Sequence, residues 1–426
     1  MAPPLRTLFR DVRLVDPEAG TERPGALVVE GEGIAAVLPA APEGDFDAVV
    51  EGGGLALAPG IVDWGVKVGE PGERHKESFR SAGEAAARGG VTTMVTRPDT
   101  VPALDSPEAL EFVLRRAAAD SPVRVRPMAA LTRGREGLQM AEMAFLLDAG
   151  AVAFTDCDRV ASPRVLARAL AYAKGLGALV VTHPQEPTLS QGAAATSGAF
   201  ATLRGLPGVP AAAERLGVER DLGLAEMTGA AVHLDQVTTA AALPALRRAR
   251  EAGADVSAGT SVHHVTLNDL DVGEWRSFFR LEPPLRAEAD RLATAEALAE
   301  GAIGVLCSWH TPQDEESKRL PFESAAPGAV GLETLLPAAL RLVHGGAMDL
   351  ARLFRALSLE PSRRLGLPTG RLRAGAPADL VLFDPEAPFV LDRADLRSKS
   401  RNTPFDGARL QGRVRGAWVA GRRVGA

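Results

Sequence analysis

The chain has 426 residues, 46% hydrophobic and 24% charged, with a formal net charge of −6. At about 150 residues per domain this suggests two or three domains, although a (β/α)8 barrel alone takes about 250. No apolar run approaches the roughly 18 residues of a membrane span, the arginines are dispersed among acids rather than gathered into a nucleic-acid surface, and only two cysteines, Cys157 and Cys307, exclude a disulfide framework.

The opening MAPPLRTLFRD lacks the apolar core of a signal peptide, and the expected compartment is the cytoplasm. Short strands are predicted at Leu8–Val15 and Ala26–Val29, divided by Gly, Pro and Asp. From about residue 58, β-branched runs alternate with Ala/Leu/Arg stretches of helical period, the pattern of a parallel sheet with crossover helices. The strand candidates are Pro59–Val68, Val91–Asp99, Val123–Ala130, Ala151–Asp156, Ala178–His183, Ala231–Val237, Asp255–Thr260 and Ile303–His310. Eight in a row predicts a closed barrel. Helices are expected over Ser106–Ala118, Gly137–Ala149, Ser162–Leu176, Thr239–Ala252 and Glu288–Glu300, with Ser162 and Gly253 as cap signals. Short strands return at Ala378–Phe383 and Arg413–Arg423. The expected fold class is α/β: a (β/α)8 TIM barrel over residues 58–367, with a small β-sandwich domain formed from both termini, 1–57 plus 368–426.

Barrel sites lie at the C-terminal ends of the strands. The first strand and its loop read Pro59-Gly60-Ile61-Val62-Asp63-Trp64-Gly65-Val66-Lys67-Val68-Gly69-Glu70-Pro71-Gly72. Further along come Gly89-Gly90-Val91-Thr92-Thr93, Phe154-Thr155-Asp156, Val262-His263-His264, Pro283-Pro284-Leu285-Arg286, Val330-Gly331-Leu332-Glu333-Thr334, Ala378-Asp379-Leu380-Val381 and Ser398-Lys399-Ser400-Arg401-Asn402-Thr403-Pro404-Phe405. In this order the set resembles the dihydroorotases of the amidohydrolase superfamily over nearly the whole chain. The resemblance implies a zinc-assisted closure of carbamoyl aspartate to dihydroorotate, or its reversal, with a carboxylate beside the metal handling the proton.

Residue by residue, that implied centre is degenerate. The first-strand H-x-H falls on Gly65 and Lys67, the sixth-strand ligand His on Gln236, and the catalytic Asp of the eighth strand on Trp309, whose indole neither accepts a proton nor binds metal. Only Asp156 and His183 keep family metal-ligand identities. The family's substrate positions fall on Gly69, Asp99, Glu282 and His310, the first three altered towards negative charge, so a carboxylate substrate should be repelled. Asp156 is expected to neutralise Lys67 where the metals would stand. His183, His233, His263 and His264 read as packed residues, His75 as a solvated helix start, His344 as a helix C-terminal residue favoured by the dipole, and the two cysteines as packed thiols.

The expectation is therefore a catalytically inactive dihydroorotase-like protein of pyrimidine biosynthesis, with no metal and no cofactor. The resemblance implies a partner, the aspartate carbamoyltransferase catalytic chain, in a hetero-oligomer. The alternative is an active dihydroorotase, or another cyclic amidohydrolase, with a reduced metal site that would carry zinc.

Overall fold

A computed structural model describes residues 5–425; Met1–Pro4, the first part of the N-terminal stretch read above, lie outside it. Eight parallel positions form the barrel. Ile61–Val66, Val91–Thr96 and Arg124–Pro127 pair in sequence, and Val180–Thr182, Val232–Leu234, Val256–Ser261 and Val305–Cys307 form a second parallel run. Phe154 joins the two, bridging Ala129 on one side and Val180 on the other. The ring closes between its first and last strands: Lys67 N–H donates to the His310 carbonyl at 2.8 Å, and the buried Asp63 carboxylate accepts from Ser308 N–H at 2.7 Å and Ser308 Oγ at 2.5 Å. Asp63 of the P-G-x-x-D motif is thus a structural clamp.

The expected run Pro59–Val68 divides at Gly60. Ala56–Pro59 belongs to the terminal sheet, and only Ile61–Val66 enters the barrel. The expected strand Ala151–Asp156 contracts to the single bridging residue Phe154, and the expected helix Gly137–Ala149 to Met143–Asp148. Helices Pro107–Asp120 and Pro163–Leu176 start on Ser106 and Ser162, whose side chains accept from the third residue onward, as cap chemistry requires. The helix start expected at His75 falls four residues later, His75 lying in a turn and Phe79–Arg88 being capped by Ser78, and the helix Ala211–Thr228 is absent from the sequence reading.

Val62, Trp64, Val95, Met128, Leu179, Val181, Val305 and Cys307 fill the barrel interior, while a larger apolar layer joins the outer strand faces to the helices. The terminal strands Arg6–Asp16, Thr21–Glu30, Gly33–Leu38, Ala48–Glu51, Ala56–Pro59, Leu380–Val390, Arg409–Val419 and Arg422–Val424 share one eight-stranded sheet. It branches at Arg6–Asp16, which pairs with Ala48–Glu51 through Thr7–Arg10 and with Ala56–Pro59 through Arg13 and Leu14. Asp379, of the A-D-L-V motif, ties this sheet to the barrel by accepting two hydrogen bonds from Arg124 at 2.7 and 3.1 Å. Among the described residues no helix is long and apolar enough to cross a membrane.

Candidate functional site

A cleft of about 530 Å3 opens at the C-terminal ends of the strands, lined among others by Lys67, Arg97, Asp99, His183, His263 and Trp309. Lys67 leaves the first strand with its ammonium between two carboxylates, 3.1 Å from Glu73 Oε2 and 3.3 Å from Asp99 Oδ2. Asp99 is shared: Arg97 grips it through Nε at 3.2 Å and Nη2 at 2.9 Å. Burial opposes ionisation of Asp99, yet Arg97 and Lys67 together hold its carboxyl well below the usual carboxylate range. Glu73 in turn accepts from Lys76 at 2.5 Å.

The expected Lys67–Asp156 pair does not form. Both Asp156 oxygens are already engaged, Oδ1 by the N–H groups of Leu131 and Thr132 at 3.1 and 3.0 Å, and Oδ2 by Thr132 Oγ1 at 2.6 Å. The carboxylate fixes the loop after the third strand instead of facing the ammonium. The expected excess of negative charge is also corrected, because Asp99 is consumed in ion pairs and Glu282 lies 3.7 Å from the Arg280 guanidinium while burial pushes its carboxyl up.

Trp309 and Gly65 occupy one another's space. A Cβ on Gly65 would lie 2.2 Å from Cε3 and Cζ3 of the indole, and Gly65 itself has a φ of +78°. The first position of the family's H-x-H therefore cannot carry a side chain while Trp309 stands where it does. Arg97 covers the indole, its guanidinium carbon 4.8 Å from the ring centroid. Gln236 and Trp309 are both non-glycine residues at positive φ, 55° and 50°. Such strained backbone clusters at functional sites.

Trp64 lies below the cleft in the barrel core, stacked on His233 with centroids 4.3 Å apart. His183 is buried with Nδ1 unpartnered, and burial lowers its ring to about 4. Gln236 is fully buried and neither of its amide atoms has a partner. His264 bonds Ser261 Oγ at 2.8 Å and the Pro283 carbonyl at 3.0 Å, and His263 stacks on Phe405. His310, expected in the substrate pocket, lies outside the cleft: its Nδ1 accepts from Gly331 N–H at 3.1 Å and its Nε2 faces Glu77 at 3.5 Å. Gly69 sits where a Cβ would lie 2.3 Å from the Glu73 carbonyl oxygen, so this loop has no room for an arginine at that position.

These residues do not fit a catalytic zinc, which requires three or four N, O or S donors. Gly65 offers none, Lys67 presents a paired ammonium, Trp309 fills the adjacent volume, and Asp156 is spent on Thr132. Among the described residues no three His, Cys, Asp or Glu side chains converge as a metal site. The arrangement of Lys67, Glu73, Asp99 and Arg97 holds and neutralises charge at the cleft.

The sequence reading missed Glu73 and Arg97. Arg97 carried a signal: two positions before Asp99 at a strand end, it falls on the same side as Asp99. Glu73 carried none, since its role depends on a loop folding back over the first strand.

The model of the dihydro-orotase-like family matches residues 54–241. The chain is 37% identical to a dihydroorotase of Syntrophus aciditrophicus, covering 99% of each. It is 39% identical to a dihydroorotase-like protein of Pseudomonas aeruginosa, covering 97% of this chain and 98% of that one. Among solved structures, the L-hydantoinase of Arthrobacter aurescens superposes with a TM-score of 0.90 at 23% identity, covering 98% and 96%. The dihydropyrimidinase of Brevibacillus agri does so with 0.86 at 20%, covering 99% and 95%. At these identities the structural likeness speaks for the fold, a TIM barrel with an attached sheet domain.

Proposed function

The chain belongs to the dihydroorotase-like family, and from that membership we propose that it is a non-catalytic member, a structural subunit supporting assembly of aspartate carbamoyltransferase. One observation carries the reading. The Trp309 indole lies against Gly65 and Lys67 is ion-paired with Glu73 and Asp99, so three positions that the family uses for metal ligands and proton transfer carry a glycine, a paired ammonium and an indole. Similarity in name does not discriminate, because relatives of comparable identity are named both dihydroorotase and dihydroorotase-like protein.

The scaffold around this centre is whole. Asp63 closes the barrel, Asp379 holds the sheet, and Arg286, buried with Glu214 at 3.1 Å, fixes the P-P-L-R turn. A protein kept for binding requires such a scaffold and no metal. Cys157 and Cys307 are buried free thiols, which accords with a reducing compartment, the cytoplasm.

The test is co-expression with the aspartate carbamoyltransferase catalytic chain. The two should co-elute on size exclusion as a hetero-oligomer, carbamoyltransferase activity should depend on this chain, and the purified chain should show no dihydroorotase turnover with added zinc. Independent elution with full carbamoyltransferase activity would overturn the assembly role, and turnover with zinc would overturn inactivity.

A further inference from the structure

The S-K-S-R-N segment, residues 398–402, alternates between buried and exposed side chains. Ser398 Oγ donates to Glu77, Ser400 Oγ to the Lys76 carbonyl at 2.9 Å, and Asn402 Nδ2 to the Thr311 and Gly328 carbonyls at 3.1 and 3.0 Å. These inward contacts pin the strap and leave Lys399 and Arg401 on its outer face. There they line a groove of about 450 Å3 together with Lys318, Arg393 and the aromatic ring of Phe278.

Three of these cations are held only by main-chain oxygen. Lys399 Nζ donates to the Arg74 carbonyl at 2.9 Å, Arg401 Nη1 to the carbonyls of Arg393 and Ala394, and Lys318 Nζ to the carbonyls of Ser277 and Arg280 at 3.0 and 3.2 Å. Carbonyls position an ammonium or guanidinium but do not neutralise it. Lys318 is 3% exposed, and burial together with Arg280 pushes its ammonium down to about 7. A buried charge without a counter-charge is a costly arrangement. The two carboxylates on the rim are already committed: Asp314 accepts from Ser317 N–H and faces His75 at 3.7 Å and Lys76 at 4.0 Å, and Glu315 pairs with Arg319 at 3.0 Å. Arg393 is partly matched by Asp406 at 3.4 Å.

We propose that this groove, outside the central cleft, is a binding site for a small tetrahedral dianion, a phosphate-type group that is free or carried on a metabolite. Lys399 and Arg401 offer unused donors from one side and Lys318 a third ammonium proton from the floor. The Arg401 guanidinium is suited to bidentate contact with phosphate oxygens.

The test is isothermal titration of the full chain at pH 7 and fixed ionic strength, first with inorganic phosphate and then with glycerol 3-phosphate. Saturable binding of either is expected, and the phosphomonoester arm reports whether a carried group is accepted. The variant Lys399→Gln/Arg401→Gln should weaken binding at least tenfold, while Arg23→Gln, an exposed cation on the terminal sheet, should leave it unchanged. Both altered side chains are exposed, and the single variant Lys399→Gln, checked by circular dichroism, keeps the test open if the double variant folds poorly. Absence of saturable heat with both anions, or equal binding by a folded variant, would overturn the proposal.

Discussion

The contact between Gly65 and Trp309 can be measured as a coupling energy. In Gly65→Ala, a non-glycine residue at φ +78° costs about 1–2 kcal/mol. The new Cβ, 2.2 Å from two indole carbons, must also displace a ring that Arg97 holds from the other side, an overpacking cost of about 1–3 kcal/mol. The single substitution should therefore lose about 2–5 kcal/mol. In a Trp309→Ala background the steric part vanishes and only the backbone cost of about 1–2 kcal/mol remains. Equilibrium urea unfolding of the four proteins of this cycle, followed by circular dichroism, should give a coupling of about 1–3 kcal/mol, in the range for residues in direct contact. Additivity within about 0.5 kcal/mol would mean that the indole does not occupy the side-chain space of position 65.

Asp99→Asn should cost about 3 kcal/mol at pH 7, because it leaves the buried Arg97 without its counter-charge and Lys67 with Glu73 alone. Since the Asp99 carboxyl is held below its unfolded value of about 3.9, that difference should be constant above about pH 5 and shrink as pH falls below 4; urea midpoints of both proteins at pH 7, 5 and 3.5 check both parts. Burial lowers His183 and His263 to about 4 and His233 and His264 to about 3. Below about 6.5 the unfolded chain binds protons that these rings refuse, so acidification should remove about 1.4 kcal/mol per pH unit per histidine. His183→Gln should flatten that slope by one such share between pH 6.5 and about 4, and an unchanged slope would contradict the assignment. Trp309→Asp alone should leave zinc content, read by elemental analysis, far below one per chain, because Lys67 and Gly65 still deny the metal its ligands.

The barrel was legible because its signal is local: eight short β-branched runs separated by helical stretches, with Ser and Gly at helix ends. What failed locally was the Phe154 strand, where one bridging residue does the work that the sequence spreads over six, and the helix Ala211–Thr228, whose buried face includes Glu214 and Asp221 and so breaks the apolar period. Glu214 is inward because Arg286 meets it from 72 residues away, a pairing invisible to any window. The site divides in the same way. That Gly65, Lys67, Gln236 and Trp309 are neither histidine nor aspartate is read from residue identity. The partners of Lys67 depend on the path of the 69–76 loop and on Thr132 having claimed Asp156.

Gly65, Lys67, Arg97, Asp99 and Trp309 are interdependent. A lysine placed alone in a partly buried cleft would leave an ammonium without a counter-charge, at a cost of several kcal/mol. Here Asp99 and Glu73 neutralise it. Arg97 balances the second charge interaction of Asp99 and at the same time covers the indole, and the indole fits only because position 65 is glycine. A histidine at 65 would therefore clash with Trp309 as it stands. Such a closed set balances its charges and fills its space at the mouth of the barrel with residues of this chain alone.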